Sequence, residues 1–410
     1  MIDTQNEQSS SSYANAEFSS SESLRADKPH FMSLQNFLEN KPLFYDEINL
    51  HRMPNAYAQI KDKLTIPKVI HVVGTNGKGT TGRFISLALA AQGFIVGHYS
   101  SPHVLEFNER IWLNGSNVDN STLEQSHKIL FELLGEELSN SLTYFEYTTF
   151  LALVTFASCE WVVLEAGLGG EYDATNVFPS ELSVITPIGI DHQSFLGNTL
   201  EEIALTKLRS INFHAVIAEQ AQEEVLDIAN DLAKENGYWL ETSSSLLRSD
   251  DKKMIRELSD EYVLGEVYEQ NLSTAIASLR ALNLEPMSFT PNKPFGRLTV
   301  VAQNVVVDVG HNPLAASAIV KTLTPQRFTL IYNSFDDKDI EGVLKEFKPL
   351  CEAVEILVYE NERLAKKERI ENAAKELNIE CSEFTSIDDN KVYLVFGSFS
   401  VLENFVQVIG

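Results

Sequence analysis

Short runs of β-branched and aliphatic residues, each followed by a helical pattern, recur from about Lys68 onward, and this alternation restricts the fold more than any other feature. The first series is VIHVVG at 69–74, FIVGHY at 94–99, WVVLEAG at 161–167 and LSVITPIG at 182–189. Continuous apolar runs suit strands covered by helices on both faces, which is the parallel α/β arrangement. A second series comprises NVVVDVG at 304–310, FTLIYN at 328–333, VEILVY at 354–359 and VYLVFG at 392–397. Pro286, Pro291 and Pro294 lie between the two series and mark a linker. The expectation is two doubly wound α/β domains. The first, over 32–285, has a mostly parallel sheet, and the second, over 286–410, is smaller and Rossmann-like.

Residues 1–31 stand outside this pattern. They are polar and contain SSSSYANAEFSSSES, too poor in apolar residues to offset the entropy of ordering, so a disordered serine-rich tail is expected. Met32, at its end, offers an alternative first residue. No run reaches the roughly 18 apolar residues of a membrane span, and no basic segment leads into an apolar one. A soluble, cytoplasmic protein is expected.

Charge narrows the partners. With 58 Asp plus Glu against 32 Lys plus Arg, the net charge of -26 repels nucleic acid and anionic membranes. Any anionic ligand must be held by local devices such as a helix N-terminus, a metal ion or a few placed cations. The three cysteines, Cys159, Cys351 and Cys381, show no paired spacing, which argues against a disulfide framework or a zinc knuckle.

Gly74-Thr75-Asn76-Gly77-Lys78-Gly79-Thr80-Thr81 follows the first strand run and leads into the helical stretch GRFISLALAAQ. Its glycines let backbone N–H groups wrap phosphate oxygens at a helix N-terminus, Lys78 can reach the outer phosphates, and a hydroxyl can ligate magnesium. The strict GxxxxGK[ST] pattern fails, because position 72 is valine and Gly79 separates the lysine from Thr80.

This loop resembles the ATP loop of the Mur ligase superfamily, in the form found in folylpolyglutamate synthases and dihydrofolate synthases. Further matches follow in family order: SSPH at 100–103, FNERI at 107–111, YFEYTT at 144–149, LEAGLGGEYDATN at 164–176, ITPIGIDH at 185–192, FGRL at 295–298, DVGHNP at 308–313 and DDKD at 336–339. The resemblance covers roughly 33–410, and is to the bacterial bifunctional dihydrofolate synthase/folylpolyglutamate synthase group. It implies a Mur-ligase-type P-loop ATP-binding domain, then a glutamate-ligase domain. The implied activity is ATP-dependent addition of L-glutamate to dihydropteroate and to folate polyglutamates through an acyl phosphate. A peptidoglycan ligase of the same superfamily is disfavoured by Gly79 and SSPH. A catalytically inactive ATP-binding module is disfavoured by retention of the site residues together.

Several positions carry both a bland and a functional reading. Ser101, Glu165 and His192 sit just past strands, at the edge where open α/β sheets place ligands. His192 alone reads equally as a hydrogen-bonded loop histidine, whereas the resemblance makes Thr80, Ser101, Glu165 and His192 magnesium positions for two ions. Thr199 and Glu202 form a capping-box pattern, so a helix should begin near Leu200 and turn Lys207 toward its apolar face. A snorkelling lysine is the simple reading; the family places a carbamylated, metal-binding lysine here. Leu208, Arg209 and Ser210 depart from its usual AGI, as Thr206 departs from its usual glutamate. Asn312-Pro313 has the N-cap and N1 signature of a helix through LAASAIVKTL.

The resemblance assigns ATP contacts to Asn76, Gly77, Lys78, Gly79, Thr80, Asn271, Arg297 and Asp308. His311 lies close to the transferred phosphate, so Lys78, Lys207 and His311 form the implied catalytic set. The pteroyl or folyl group falls to Phe145, Glu146, Tyr172, Asp173 and Ala174, although aromatics there also read as core. Glu171 replaces an arginine common in the family. A monomer binding only small molecules is expected.

Overall fold

The computed structural model describes residues 32–42 and 49–409, so the serine-rich segment lies outside the described residues. Among the described residues, fourteen strands form two sheets. The first contains β1 (Lys68–Val73), β2 (Val96–Tyr99), β3 (Ile111–Leu113), β4 (Ser116–Asn117), β5 (Trp161–Glu165), β6 (Leu182–Ile185), β7 (His214–Ile217) and β8 (Trp239–Thr242). Their order is β4-β3-β2-β5-β1-β6-β7-β8. Pairing is parallel from β2 to β8, whereas β3 and β4 add an antiparallel edge.

The second sheet contains β9 (Thr299–Ala302), β10 (Val305–Asp308), β11 (Phe328–Tyr332), β12 (Cys351–Ile356), β13 (Glu380–Glu383) and β14 (Tyr393–Phe396). Its order is β13-β12-β11-β14-β10-β9, with only β9 antiparallel. The run at 354–359 is therefore only half strand. β12 begins earlier, at Cys351, and Leu357 already leaves the ladder, donating its backbone N–H to the carbonyl of Tyr332.

Both faces of the first sheet are buried, which explains runs apolar at every position. Ile70, Val72, Val163 and Val184 pack against the helices Lys78–Ala91 and Glu266–Ala281. Val69, Val162 and Leu164 face the helix Tyr144–Thr155. Burying one such aliphatic side chain contributes roughly 2 kcal/mol. Parallel pairing also brings the C-terminal ends of β1, β2, β5 and β6 to one edge, the edge that carries Gly74, Ser101, Glu165 and the 186–192 turn. No helix among the described residues is long and apolar enough to cross a membrane.

Candidate active site

The turn between β1 and the helix Lys78–Ala91 is the floor of a cleft of about 450 Å³. Gly77 caps that helix at φ 83, a left-handed conformation, and a Cβ there would lie 2.7 Å from Asn271 Oδ1. The first-turn N–H groups of the helix are thereby presented as anion donors. Lys78 Nζ curls over the turn, donating to the carbonyls of Gly74 and Thr75, each at 3.2 Å. Gly79 explains the departure from the strict loop pattern. A Cβ at that position would stand 3.1 Å from Glu165 Oε2, so the residue after the lysine stays small to admit the carboxylate.

Thr80, Ser101, Glu165, His192 and Lys207 all line this cleft. Glu165 is the last residue of β5, buried, and its Oε2 accepts from the Ser101 backbone N–H at 3.1 Å. Burial pushes its carboxyl up, against the opposing pull of Lys78 and the Ser101 hydrogen bond. His192 adopts φ 52, costing on the order of 1 kcal/mol for a residue with a Cβ, and caps the short helix Gln193–Leu196. Burial first, then neighbouring cations, bring its imidazole down to about 4, against the pull of Asp191, so it is neutral and able to ligate at pH 7.

Lys207 lies on the helix Leu200–Leu208, whose Thr199/Glu202 capping box forms as the spacing predicts. Its side chain is 4% exposed, with Nζ donating to the Gly74 carbonyl at 3.0 Å. Two lysines thus share one carbonyl oxygen. Burial, reinforced by the Lys78 charge, brings the Lys207 amine down to about 7.

The opposite wall comes from the second sheet. Asp308 ends β10, and its carboxylate accepts from Tyr268 Oη, the Leu298 N–H and the Gly310 N–H. Burial pushes the Asp308 carboxyl up, while Arg297 pulls it down. Arg297, Asn271 and His311 also line the cleft. Asn312 caps the helix Pro313–Leu323, and its amide exchanges hydrogen bonds with Asn76 at 2.9 and 3.0 Å. The phosphate-type loop of the first sheet is therefore tied directly to the turn after β10.

Asp191, Tyr268 and Lys338 received no role in the sequence and Asn312 only that of a helix cap, although Asp191, Asn312 and Lys338 fall inside matched motifs. Asp191 is buried and is contacted by His311, Asn312 and Lys338. Burial opposes its ionisation, yet the His311 hydrogen bond and the charges of His311, His192 and Lys338 hold it well below the usual carboxylate range. Only its place beside His192, inside the matched ITPIGIDH run, could have drawn attention to it.

The residues expected at the pteroyl group are not gathered with the others. Phe145 is half-buried, its ring stacked on Tyr99 at 5.8 Å and pressed against Gly167. Glu146 closes the capping box of its helix and pairs with Arg52 at 2.7 Å. Tyr172 is 61% exposed, and Ala174 is buried. Asp173 organises the loop after β5, its carboxylate accepting from the N–H groups of Gly167, Leu168 and Thr175, each at 2.9 Å. Asp173→Ala should therefore lower stability by about 3 kcal/mol, since it orphans buried donors. Urea unfolding checks this: an unchanged midpoint would mean that the loop does not depend on the carboxylate.

No family model matches the chain. The dihydrofolate synthase/folylpolyglutamate synthase of Haemophilus influenzae is 30% identical, with 91% of this chain and 96% of that protein covered. The crystal structure of Helicobacter pylori folylpolyglutamate synthetase is 38% identical with a TM-score of 0.73, covering 91% of this chain and 97% of that one. An Escherichia coli relative in complex with DHPP and ADP has a TM-score of 0.76 at 28% identity, covering 91% and 96%. A bifunctional folylpolyglutamate synthase/dihydrofolate synthase from Yersinia pestis, complexed with AMPPNP and Mn ion, has a TM-score of 0.74 at 25% identity, covering 92% and 97%.

Proposed function

Because this chain belongs to the dihydrofolate synthase/folylpolyglutamate synthase family, we propose that its cleft joins L-glutamate both to dihydropteroate and to glutamylated folates. It is an ATP-dependent ligase of folate metabolism. The observation that carries the assignment of the site is that cleft, in which Lys78 and Glu165 from one sheet face Asp308 and His311 from the other. Residues 32–285 are the ATP-binding domain in this reading, and 286–410 the glutamate-ligase domain. The chain acts as a cytoplasmic monomer.

ATP lies with its phosphates on the Asn76–Thr80 turn, between Lys78 and the second-domain residues Arg297, Asp308 and His311, with Asn271 at the turn's flank. An oxygen of the acceptor carboxylate attacks the γ phosphorus as the bond to the bridging oxygen breaks, giving an acyl phosphate and ADP. The amine of L-glutamate then attacks the acyl carbon, losing a proton, and phosphate departs with the oxygen that joined it to the acyl carbon. Lys78 holds charge on the phosphoryl oxygens, His311 stands beside the transferred group, and closure excludes water that would hydrolyse the intermediate. The acceptor's flat ring system approaches past Phe145 and the exposed Tyr172, while Glu146, Asp173 and Ala174 hold the helix start and the loop behind them. The DHPP held by the Escherichia coli relative supports a pterin acceptor.

The donors present fit a divalent metal. Glu165 is a desolvated carboxylate whose one hydrogen bond from the described residues is the Ser101 N–H, and His192 is a neutral imidazole. Thr80, Ser101, Glu165, His192 and a carbamylated Lys207 would hold two magnesium ions, and the Mn ion of the Yersinia pestis relative supports a divalent site. Bound there, the ions supply Lewis-acid neutralisation of phosphoryl charge. Glu165→Gln and His192→Ala should each raise the magnesium concentration needed for half-maximal rate by about tenfold or more. Unchanged magnesium titrations in both would remove these residues from the ligand set. The reading as a whole is tested by ADP release: it should require dihydropteroate or folate together with glutamate, and release independent of either would overturn it.

A further inference from the structure

Three side chains from the second domain converge on one carboxylate of the first. Lys338 Nζ stands 2.5 Å from Asp191 Oδ1, while Asn312 Nδ2 and His311 Nε2 lie 3.1 and 3.2 Å from Oδ2. Asp191 and Lys338 are both buried, at 8% and 7% exposure. Lys338 follows β11 and Asn312 follows β10, so two separate loops of the second sheet reach the same point. Asp191 Oδ1 also accepts from the His192 backbone N–H at 2.8 Å, in the turn that aims that imidazole into the cleft. Asn312 continues the connection to Asn76 in the phosphate turn.

Asp191, His192 and His311 have ligand atoms close enough together to hold a metal ion. The ammonium of Lys338 already supplies the positive charge there. Such a buried pair adds little net stability, because desolvating both ions offsets their attraction, but it fixes one geometry sharply. Were the two domains to separate, each ion would return to water, which compensates for the lost attraction.

We propose that Asp191 is a positioning residue for the ligase reaction, the latch by which Lys338, Asn312 and His311 lock the second domain over the phosphate turn. It acts through His311 and Asn76, and no contact of its own with substrate is required. This inference rests on the ligase reading above.

Asp191→Asn and Lys338→Met should each lower kcat about 100-fold, as expected for a displacement of about 1 Å at the reacting groups, while KM for ATP changes less than about threefold. The nucleotide's main holding turn stays intact in both. The Asp191→Asn/Lys338→Met double variant, which leaves no unpaired buried charge, should fold and be no slower than the single variants, since the pair acts as one unit. Lys338→Arg should recover part of kcat. X-ray scattering with AMPPNP should show compaction in wild type and a smaller compaction in the double variant. Wild-type kcat in either single variant, additive losses, or wild-type compaction in the double variant would overturn the latch. Absence of amide synthesis by the wild-type enzyme, run in parallel, would instead count against the ligase reading.

Discussion

Lys78→Ala should yield a folded protein that binds the folate acceptor yet makes amide about a thousandfold more slowly. The reason lies in what the side chain touches. Its ammonium lines the cleft and donates to the Gly74 and Thr75 carbonyls, so its removal costs two hydrogen bonds at the cleft floor and no buried apolar side chain. Charge accumulating on the phosphoryl oxygens would lose its nearest fixed cation on the phosphate turn. Thermal melting together with steady-state ADP release separates the two effects. A wild-type rate would show that the turn is not the phosphate site, and a collapsed melting temperature would show a structural role.

The second large effect is expected at Lys207. A buried amine brought down to about 7 is substantially neutral near physiological pH, and the neutral form is the one that adds carbon dioxide. The carbamate would retain one N–H for the Gly74 carbonyl while presenting oxygens to the Glu165 and His192 side of the cleft. Lys207→Ala should lower kcat by at least about 100-fold, the scale of losing a group that supports a metal site. Millimolar acetate should restore part of the rate by supplying carboxylate oxygens in the vacated space. Activity that is unaffected by the substitution would rule out the assignment. A loss that no short carboxylate relieves would point to the Gly74 hydrogen bond as the side chain's whole contribution.

The parallel architecture was legible because both faces of each central strand are buried, which writes apolar runs directly into the chain. The edges were not. β8 reads WLET and β13 reads ECSE, with most residues at least partly exposed, so neither produces a run. The antiparallel β3 and β4 are too short to show alternation. Helix starts at Leu200 and Pro313 were readable because Thr199, Glu202 and Asn312 make the cap hydrogen bonds that their spacing implies.

Site legibility followed a similar division. Lys78, Glu165, His192 and Asp308 lie at strand ends or in turns beside them, where topology brings ligands, and they meet in one cleft. Asp191 and Lys338 are 147 positions apart and become neighbours only when the two sheets face each other, a relation that no local pattern encodes. Glu146 and Asp173 show the converse. Both stand in matched motifs, but their carboxylates are occupied by a helix cap and a loop.

If this cleft activates the acceptor carboxylate as an acyl phosphate, one carboxylate oxygen must leave with the phosphate. Dihydropteroate carrying heavy oxygen in its carboxylate, turned over with ATP and glutamate, tests it by mass analysis of the products. One labelled oxygen from each carboxylate should appear in inorganic phosphate, with the other retained in the new amide. Unlabelled phosphate accompanied by amide formation would mean that no acyl phosphate forms in this cleft.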